Sequence, residues 1–233
     1  MLYDIQGTAS GLRLTKHNLI DILLKKYIHH SSNIPKILSV GCGTGDDLAI
    51  IKKYGEIYVI DVDKNALLLI DDTICQKKIL GDACSMPFID GYFDYIVCFD
   101  VLEHIQEDGL AIKEIYRTLK KGGILLIIVP AFQSIYSSHD KKLDHYRRYS
   151  MKGIRRLTNM FDKKNFFYWN SLLFPLVALS RIIKKNASPK VDTMNYNPVL
   201  SALLTFVMKF DNFLIKRSLS MPFGLSIVGI CKK

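Results

Sequence analysis

Apolar residues in the first 130 positions fall in short unbroken runs rather than in strict alternation. Ile37 to Val40, Tyr58 to Ile60 with Asp61 behind them, Lys77 to Leu80, Phe93 to Phe99 and Ile124 to Val129 are such runs. Separated by stretches of helical period, they predict strands of a parallel sheet covered on both faces. Before the last run, Leu110, Ile115 and Leu119 predict one apolar helix face, and Lys120-Lys121-Gly122-Gly123 predicts the helix stop and a turn. Ahead of the sheet, a helix is expected from Thr15 as its cap through Leu19, Ile22, Leu23 and Tyr27, ending before Ser31-Ser32-Asn33. In the second half, Ser150 caps a predicted helix, and Phe166-Phe167-Tyr168 reads as the sixth strand. Leu172 to Ile183 and Pro198 to Ile215 read as apolar helices on either side of the polar stretch Lys184 to Asn197. Phe223 to Cys231 is expected to close the sheet as an antiparallel partner of the sixth strand.

Composition changes this picture little. A chain of 233 residues with 49% hydrophobic side chains has ample core for one α/β domain with an elaboration. The expected divisions are a helical cap over 1–35, a core over 36–165, a helical insertion over 166–220 and a last strand over 221–233. Cys42, Cys75, Cys84, Cys98 and Cys231 are scattered and odd in number, which implies reduced thiols and a cytoplasmic protein, with no metal knot or disulfide framework. No secretory leader is seen. The run from Phe166 to Ser180 falls short of the roughly 20 residues that cross a bilayer.

Candidate chemistry begins where the first strand ends. Gly41, Gly43 and Gly45 stand at alternate positions, a turn in which a flat ligand can lie against bare backbone. Asp61, at the tip of the next strand, can grip a ribose diol. A dinucleotide fingerprint needs Gly-x-Gly-x-x-Gly, and here that register fails: the sixth position is Asp46 counted from Gly41 and Leu48 counted from Gly43. Asp46-Asp47 also place negative charge where a pyrophosphate would dock. A cofactor with a sulfonium and an ammonium in place of phosphates suits that end, and S-adenosylmethionine is such a molecule.

The string Val40-Gly-Cys-Gly-Thr-Gly45, with Asp61, Gly81-Asp82-Ala83, Phe93-Asp94, Asp100-Val-Leu-Glu-His104 and the turn at Leu119 to Gly123, resembles the class I S-adenosylmethionine-dependent methyltransferases. Ser138-His139-Asp140, Leu143-Asp144-His145-Tyr146-Arg147-Arg148-Tyr149 and the closing Met221 to Gly229 resemble a small-molecule subgroup of that family. The resemblance implies a Rossmann-like, seven-stranded, mostly parallel α/β sheet with an antiparallel last strand and a helical insertion between the sixth and seventh strands. It implies cofactor contacts from Gly41, Cys42, Gly43, Gly45, Asp61, Val62, Asp82, Ala83, Asp100 and Val101, with Asp82 toward the adenine amino group and Asp100 and Val101 at the methionine end. Arg13 is a candidate for the methionine carboxylate. In ubiquinone-type O-methyltransferases a cluster resembling Asp100, Glu103 and His104 can bind a divalent metal. Asp here shortens the first arm, and no metal is assigned.

The segment after the fifth strand is where an acceptor is expected. It lacks the Asn/Asp-Pro-Pro-aromatic element of amino methyltransferases, which favours an oxygen, carboxyl or carbon acceptor. His139 and His145 are candidate bases with Asp140 or Asp144 as orienters, and Arg147, Arg148 and Tyr149 are candidate substrate contacts. The net charge of +10, crowded at Lys141, Lys142, Arg147, Arg148, Lys152, Arg155 and Arg156, suits an anionic acceptor. The expected activity is O-methylation of a small-molecule or lipid-linked anionic acceptor by a monomer or homodimer. The apolar helices either cover the site or press on a membrane, with Lys184, Lys185, Lys209, Lys216 and Arg217 toward headgroups. Two alternatives remain: an RNA methyltransferase using the 141–156 region, which lacks any nucleic-acid signature, and a cofactor-binding partner subunit without catalysis.

Overall fold

The computed structural model describes residues 9–28, 33–183 and 198–233. Seven strands form one sheet in the order β3-β2-β1-β4-β5-β7-β6. They are β1 (Lys36–Val40), β2 (Glu56–Asp61), β3 (Lys77–Leu80), β4 (Phe93–Phe99), β5 (Leu119–Pro130), β6 (Lys163–Trp169) and β7 (Ser226–Lys232). The first five pair in parallel, and β7 runs antiparallel between β5 and β6. The last strand therefore partners the fifth as well as the sixth. Strand order reverses beside β1, where Val40 faces Ile60 of β2 on one side and Cys98 of β4 on the other. In open sheets of this kind ligands sit in a crevice beyond the carboxyl ends of the strands at that switch point.

Both sheet faces are covered. On one face the helix α1 (Ala9–Tyr27), the short α2 (Leu48–Ile51) and α3 (Lys64–Leu68), and the long α8 (Pro198–Lys216) lie over Ile37, Val97, Leu126 and Val228. On the other, α4 (Asp108–Thr118) and α6 (Met151–Leu157) cover Leu38, Ile96, Leu125 and Ile127. The two remaining helices, α5 (Ser138–Lys142) and α7 (Phe174–Ile183), belong to the loops above the crevice. Each fully buried aliphatic side chain in these layers contributes on the order of 1.5–3 kcal/mol of burial energy.

Three elements depart from expectation. The first helix starts at Ala9, so Thr15 is an interior residue and not its cap; its hydroxyl is buried against Met208 Sδ at 3.5 Å, and α8 holds the extra turns. The inward face of α4 is Ala111, Ile112, Ile115 and Thr118, while Leu110 is exposed and Leu119 already belongs to β5. Lys120 to Gly123 leave the ladder between the pairs Phe93–Leu119 and Tyr95–Ile124, so the predicted turn is a bulge at the start of β5. The expected helix end at Ser31-Ser32, and the polar stretch Lys184 to Asn197 with Lys184 and Lys185, lie outside the described residues. No helix among the described residues is long and apolar enough to cross a membrane.

One polar side chain ties the helical insertion to the sheet. Asn212 of α8 accepts from Trp169 Nε1 at 2.9 Å through Oδ1 and donates from Nδ2 to Thr15 O at 2.8 Å and Asn18 Oδ1 at 3.1 Å. Asn212→Ala leaves a buried indole N–H without a partner, at a cost of about 1–3 kcal/mol. Because the chain has a single tryptophan, denaturant titration followed by its fluorescence will show the loss as a lower midpoint.

Candidate active site

The glycine turn is bound to the strand beside it. Gly41 N donates to Ile60 O at 2.9 Å, and Gly43 N donates to Asp61 Oδ2 at 2.8 Å. Gly41 sits at φ 63° and Gly45 at φ 84°, a region that side chains disfavour. A Cβ on Gly41 would lie 2.4 Å from Val101 Cγ1, so Val101 fills the back of the turn. Asp61 Oδ1 accepts from Asp63 N at 2.9 Å. Each of its oxygens thus takes one backbone N–H and keeps a second acceptor site for a diol. Next to it Val62 is 71% exposed, an apolar side chain left bare where a planar base needs a surface. Asp82 is exposed, with Oδ1 accepting from Cys84 N at 2.8 Å. The Ala83 side chain packs into the core, which leaves only its backbone to meet a ligand. Cys42, half-buried in the turn, has its thiol pushed up to about 12 by burial and by Asp61, and stays protonated. A bare turn, a carboxylate with free acceptor capacity and an exposed apolar neighbour fit the adenosine half of S-adenosylmethionine.

The other end of the crevice is charged. Lys16 of α1 places Nζ 3.0 Å from Asp47 Oδ2 and 2.9 Å from Asp100 Oδ2. Burial opposes the charge on Lys16, but the two carboxylates outweigh it and raise its pKa. Burial likewise opposes the charge on Asp47, yet His17 and Lys16 hold its pKa below the usual range. Asp100 adopts φ 55°, a conformation that a short polar residue tolerates, and this turns it toward α1. Arg13, expected at the methionine carboxylate, is exposed and lies 3.4 Å from Asp46; the cation inside the crevice is Lys16, which no motif marks.

Beyond Asp100, the turn at Leu102–His104 meets the loop after β5. Glu103 is 1% exposed, and its Oε2 has no hydrogen-bond partner. Burial, then the Asp100 charge, raises its pKa well above the usual range. The rings of His104 and His145 meet edge to face at 4.6 Å. Glu103, His104 and His145 each offer a ligand atom within 4.8 Å of the others, a set that can hold a cation. His145 takes the place that the sequence suggested for Asp100, because Asp100 is committed to Lys16.

His145 Nδ1 lies 3.3 Å from Oδ1 of the fully buried Asp140. Asp140 also accepts from Arg148 Nη1 at 2.7 Å, Arg181 Nη1 at 2.9 Å and Ser137 N at 3.0 Å. Burial by itself would raise its pKa; His145, Arg148 and Arg181 together hold it far below the usual carboxylate range. The arrangement corrects two expected substrate contacts. Arg148 is buried, with Nε on Ala131 O at 2.7 Å and Nη2 on Leu225 O at 3.1 Å, so its fork is used inside the fold. Tyr149 is buried with its hydroxyl 2.8 Å from Asp108 Oδ2 and 3.0 Å from Leu102 O. Arg147 is partly exposed but pairs with Asp108 Oδ2 at 2.8 Å and Gln106 O at 2.7 Å. His139 lies on α5 outside the His104–His145 pair; partial burial and Arg181 lower its pKa. Arg181, distant in sequence, was not foreseen.

Half-buried aromatic rings flank this region. Phe132 stacks on Tyr168 at 5.2 Å and meets Phe174 at 5.1 Å, which meets Phe223 at 5.5 Å. Phe132 follows β5, Tyr168 lies at the end of β6, Phe174 opens α7 and Phe223 precedes β7, at the edge of the sheet where β5 and β6 end.

Two outcomes follow. Because Asp140 has a depressed pKa in the fold, its stabilisation is complete above the unfolded carboxylate value of about 3.9 and is lost as pH falls toward the folded value. Asp140→Asn should cost about 3–5 kcal/mol at neutral pH by leaving buried arginines uncompensated; stability curves against pH should converge with wild type in acid. Asp61→Ala should weaken adenosylhomocysteine binding about 10- to 100-fold in calorimetry, as for a lost charge-assisted pair.

The profile of the methyltransferase domain family matches residues 38–127, from β1 into β5. An uncharacterized protein of Methanocaldococcus jannaschii is 31% identical over 176 residues, covering 71% of this chain and 73% of its own. A ubiquinone/menaquinone biosynthesis C-methyltransferase of Neisseria meningitidis is 29% identical over 167 residues, 66% of this chain and 65% of that enzyme. In structure, a SAM-dependent methyltransferase from Archaeoglobus fulgidus superposes with a TM-score of 0.59 at 17% identity, over 93% of this chain and 94% of the other. Sheet order, glycine turn and relatives agree, and the chain belongs to the class I S-adenosylmethionine-dependent methyltransferases, an enzyme family that takes its methyl group from that cofactor.

Proposed function

We propose that this enzyme methylates an oxygen of a small, aromatic or lipid-linked acceptor carrying a negative charge, and that His145 takes the acceptor's proton. The observation that carries the reading is the Asp140–His145 pair beside Glu103 and His104, next to the Phe132–Tyr168–Phe174–Phe223 wall. S-adenosylmethionine supplies an already activated methyl group, so the chain's task is alignment and proton removal. Gly41, Gly43, Gly45, Asp61, Val62 and Asp82 bind the adenosine, while Lys16, Asp47, Asp100 and Val101 border the methionine end. The aromatic wall orients the acceptor and excludes water. Alignment of this kind supplies on the order of 7 kcal/mol or more. Ionised Asp140 holds the ring proton of neutral His145 on Nδ1, leaving the Nε2 lone pair for the acceptor hydroxyl. Nε2 of His145 would accept the acceptor's proton as the cofactor's methyl group passes to the acceptor oxygen, with adenosylhomocysteine as the other product. Proton removal adds roughly 100-fold or more. With the forks of Arg147 and Arg148 engaged, the negative charge of the acceptor would be met by exposed Lys141 and Lys142.

Carbon methylation is the second reading, favoured by the named activity of the Neisseria relative. Removing a phenolic proton activates the ring carbon as well as the oxygen, so the same His145 serves either product. Incubation with deuterium-labelled cofactor and a panel of hydroquinones and phenols, with mass spectrometry of the products, separates the two; transfer to neither class would overturn the proposal. His145→Gln should lower kcat about 100-fold or more with adenosylhomocysteine affinity unchanged. His139→Gln, outside the cluster, should have a much smaller effect.

A further inference from the structure

The helix α8 has two apolar faces, and the fold uses one of them. Met208, Asn212 and Ile215 point inward, and Asp211 is buried with Oδ2 accepting from Ser171 N at 3.1 Å. Leu203, Phe206, Phe210, Phe213 and Arg217 recur every three or four residues on the opposite side, all exposed. Phe206 is 67%, Phe210 46% and Phe213 48% exposed, a density of bare aromatic surface that water-facing helices avoid. Phe210 and Phe213 stack at 6.2 Å, and the Arg217 guanidinium lies 5.3 Å from the Phe213 ring.

Charge decides what this face suits. Lys209, Lys216 and Arg217 are exposed on or just after α8, whereas the helix's one acidic residue, Asp211, is buried. Its solvent side therefore carries aromatic and aliphatic residues flanked by cations and no anion. That is the pattern of a helix lying in the plane of an anionic bilayer, with rings in the acyl boundary and cations among headgroups. The helix lies on such a surface and does not cross it. The helix α7 leads the same way: it begins at Phe174 within the aromatic wall and continues outward with exposed Leu176, Leu179 and Ile183.

We propose that the exposed face of α8 docks the enzyme on anionic phospholipid membranes. The inference deepens the lipid-linked acceptor reading and rests on it for its purpose, while its own evidence is the charge and exposure of α8. Vesicle binding and turnover are therefore measured apart. In flotation assays the wild-type protein should bind phosphatidylcholine vesicles containing about 30 mol% phosphatidylglycerol at least about tenfold more tightly than phosphatidylcholine alone, and added salt should weaken binding. Combined Phe206→Ser, Phe210→Ser and Phe213→Ser should reduce binding to the anionic vesicles about tenfold or more. Lys209→Gln with Lys216→Gln should erase most of the preference for phosphatidylglycerol. Both variants should keep adenosylhomocysteine affinity and turnover on a water-soluble phenol, which reports folding and the active site independently. Failure of the wild-type protein to bind anionic vesicles overturns the proposal, as does binding that survives the triple serine variant. A dimer in ultracentrifugation that this variant dissolves, without vesicle binding, would assign the face to a second copy of the chain instead. Vesicle binding without methylation of any lipid-linked acceptor would leave docking standing and remove the acceptor reading.

Discussion

A buried carboxylate organises the loop after β5. Asp140 is fully removed from solvent, and ionised carboxylates are costly there unless they are paired and hydrogen-bonded. Its partners come from separate parts of the chain: Ser137 ahead of α5, His145 and Arg148 from the following loop, and Arg181 from α7. Through Arg148 the same network reaches the carbonyls of Ala131, after β5, and Leu225, before β7. The loop that carries the candidate base is thus held from several directions, and the charges that hold it belong to the interior instead of to a ligand.

The two halves of the crevice obey different physics. The cofactor half is local: a turn needs positive φ, and a carboxylate at the next strand tip caps Gly43 and Asp63. Its parts are neighbours in sequence or across one pair of strands. The charged parts beyond it are assembled over long separations, with Lys16 reaching Asp100 from α1 and Arg181 reaching Asp140 from α7. Burial, then the Asp100 charge, raises the pKa of Glu103, while His145, Arg148 and Arg181 outweigh burial and depress that of Asp140, and two imidazoles stand beside them. Such separation of protonation behaviour is what proton transfer requires.

The helical insertion shows how one element serves two roles. Asn212 binds Trp169 and the backbone of Thr15, so the inner face of α8 clamps β6 and α1 to the sheet. That clamp leaves Phe206, Phe210 and Phe213 turned outward.

Much of the fold was legible in the residues themselves. Unbroken apolar runs mark strands covered on both faces, and three glycines followed by Asp61 mark the cofactor turn, because burial pattern and positive φ are properties of short segments. The placement of β7 between β5 and β6, the extension of α1 to Ala9 and the true inner face of α4 were not legible, since each depends on what packs against the segment. The same division runs through the site. The spacing of Gly41, Gly43 and Asp61 predicts a turn set against the next strand tip, and Gly43 N on Asp61 Oδ2 joins the two. Arg148 and Tyr149 carried the right chemistry for a ligand and were turned inward by the fold, while Lys16 and Arg181 bore no local mark. A motif constrains the backbone over a few residues, but whether a charge meets solvent, a ligand or a buried partner is settled only when distant segments close around it.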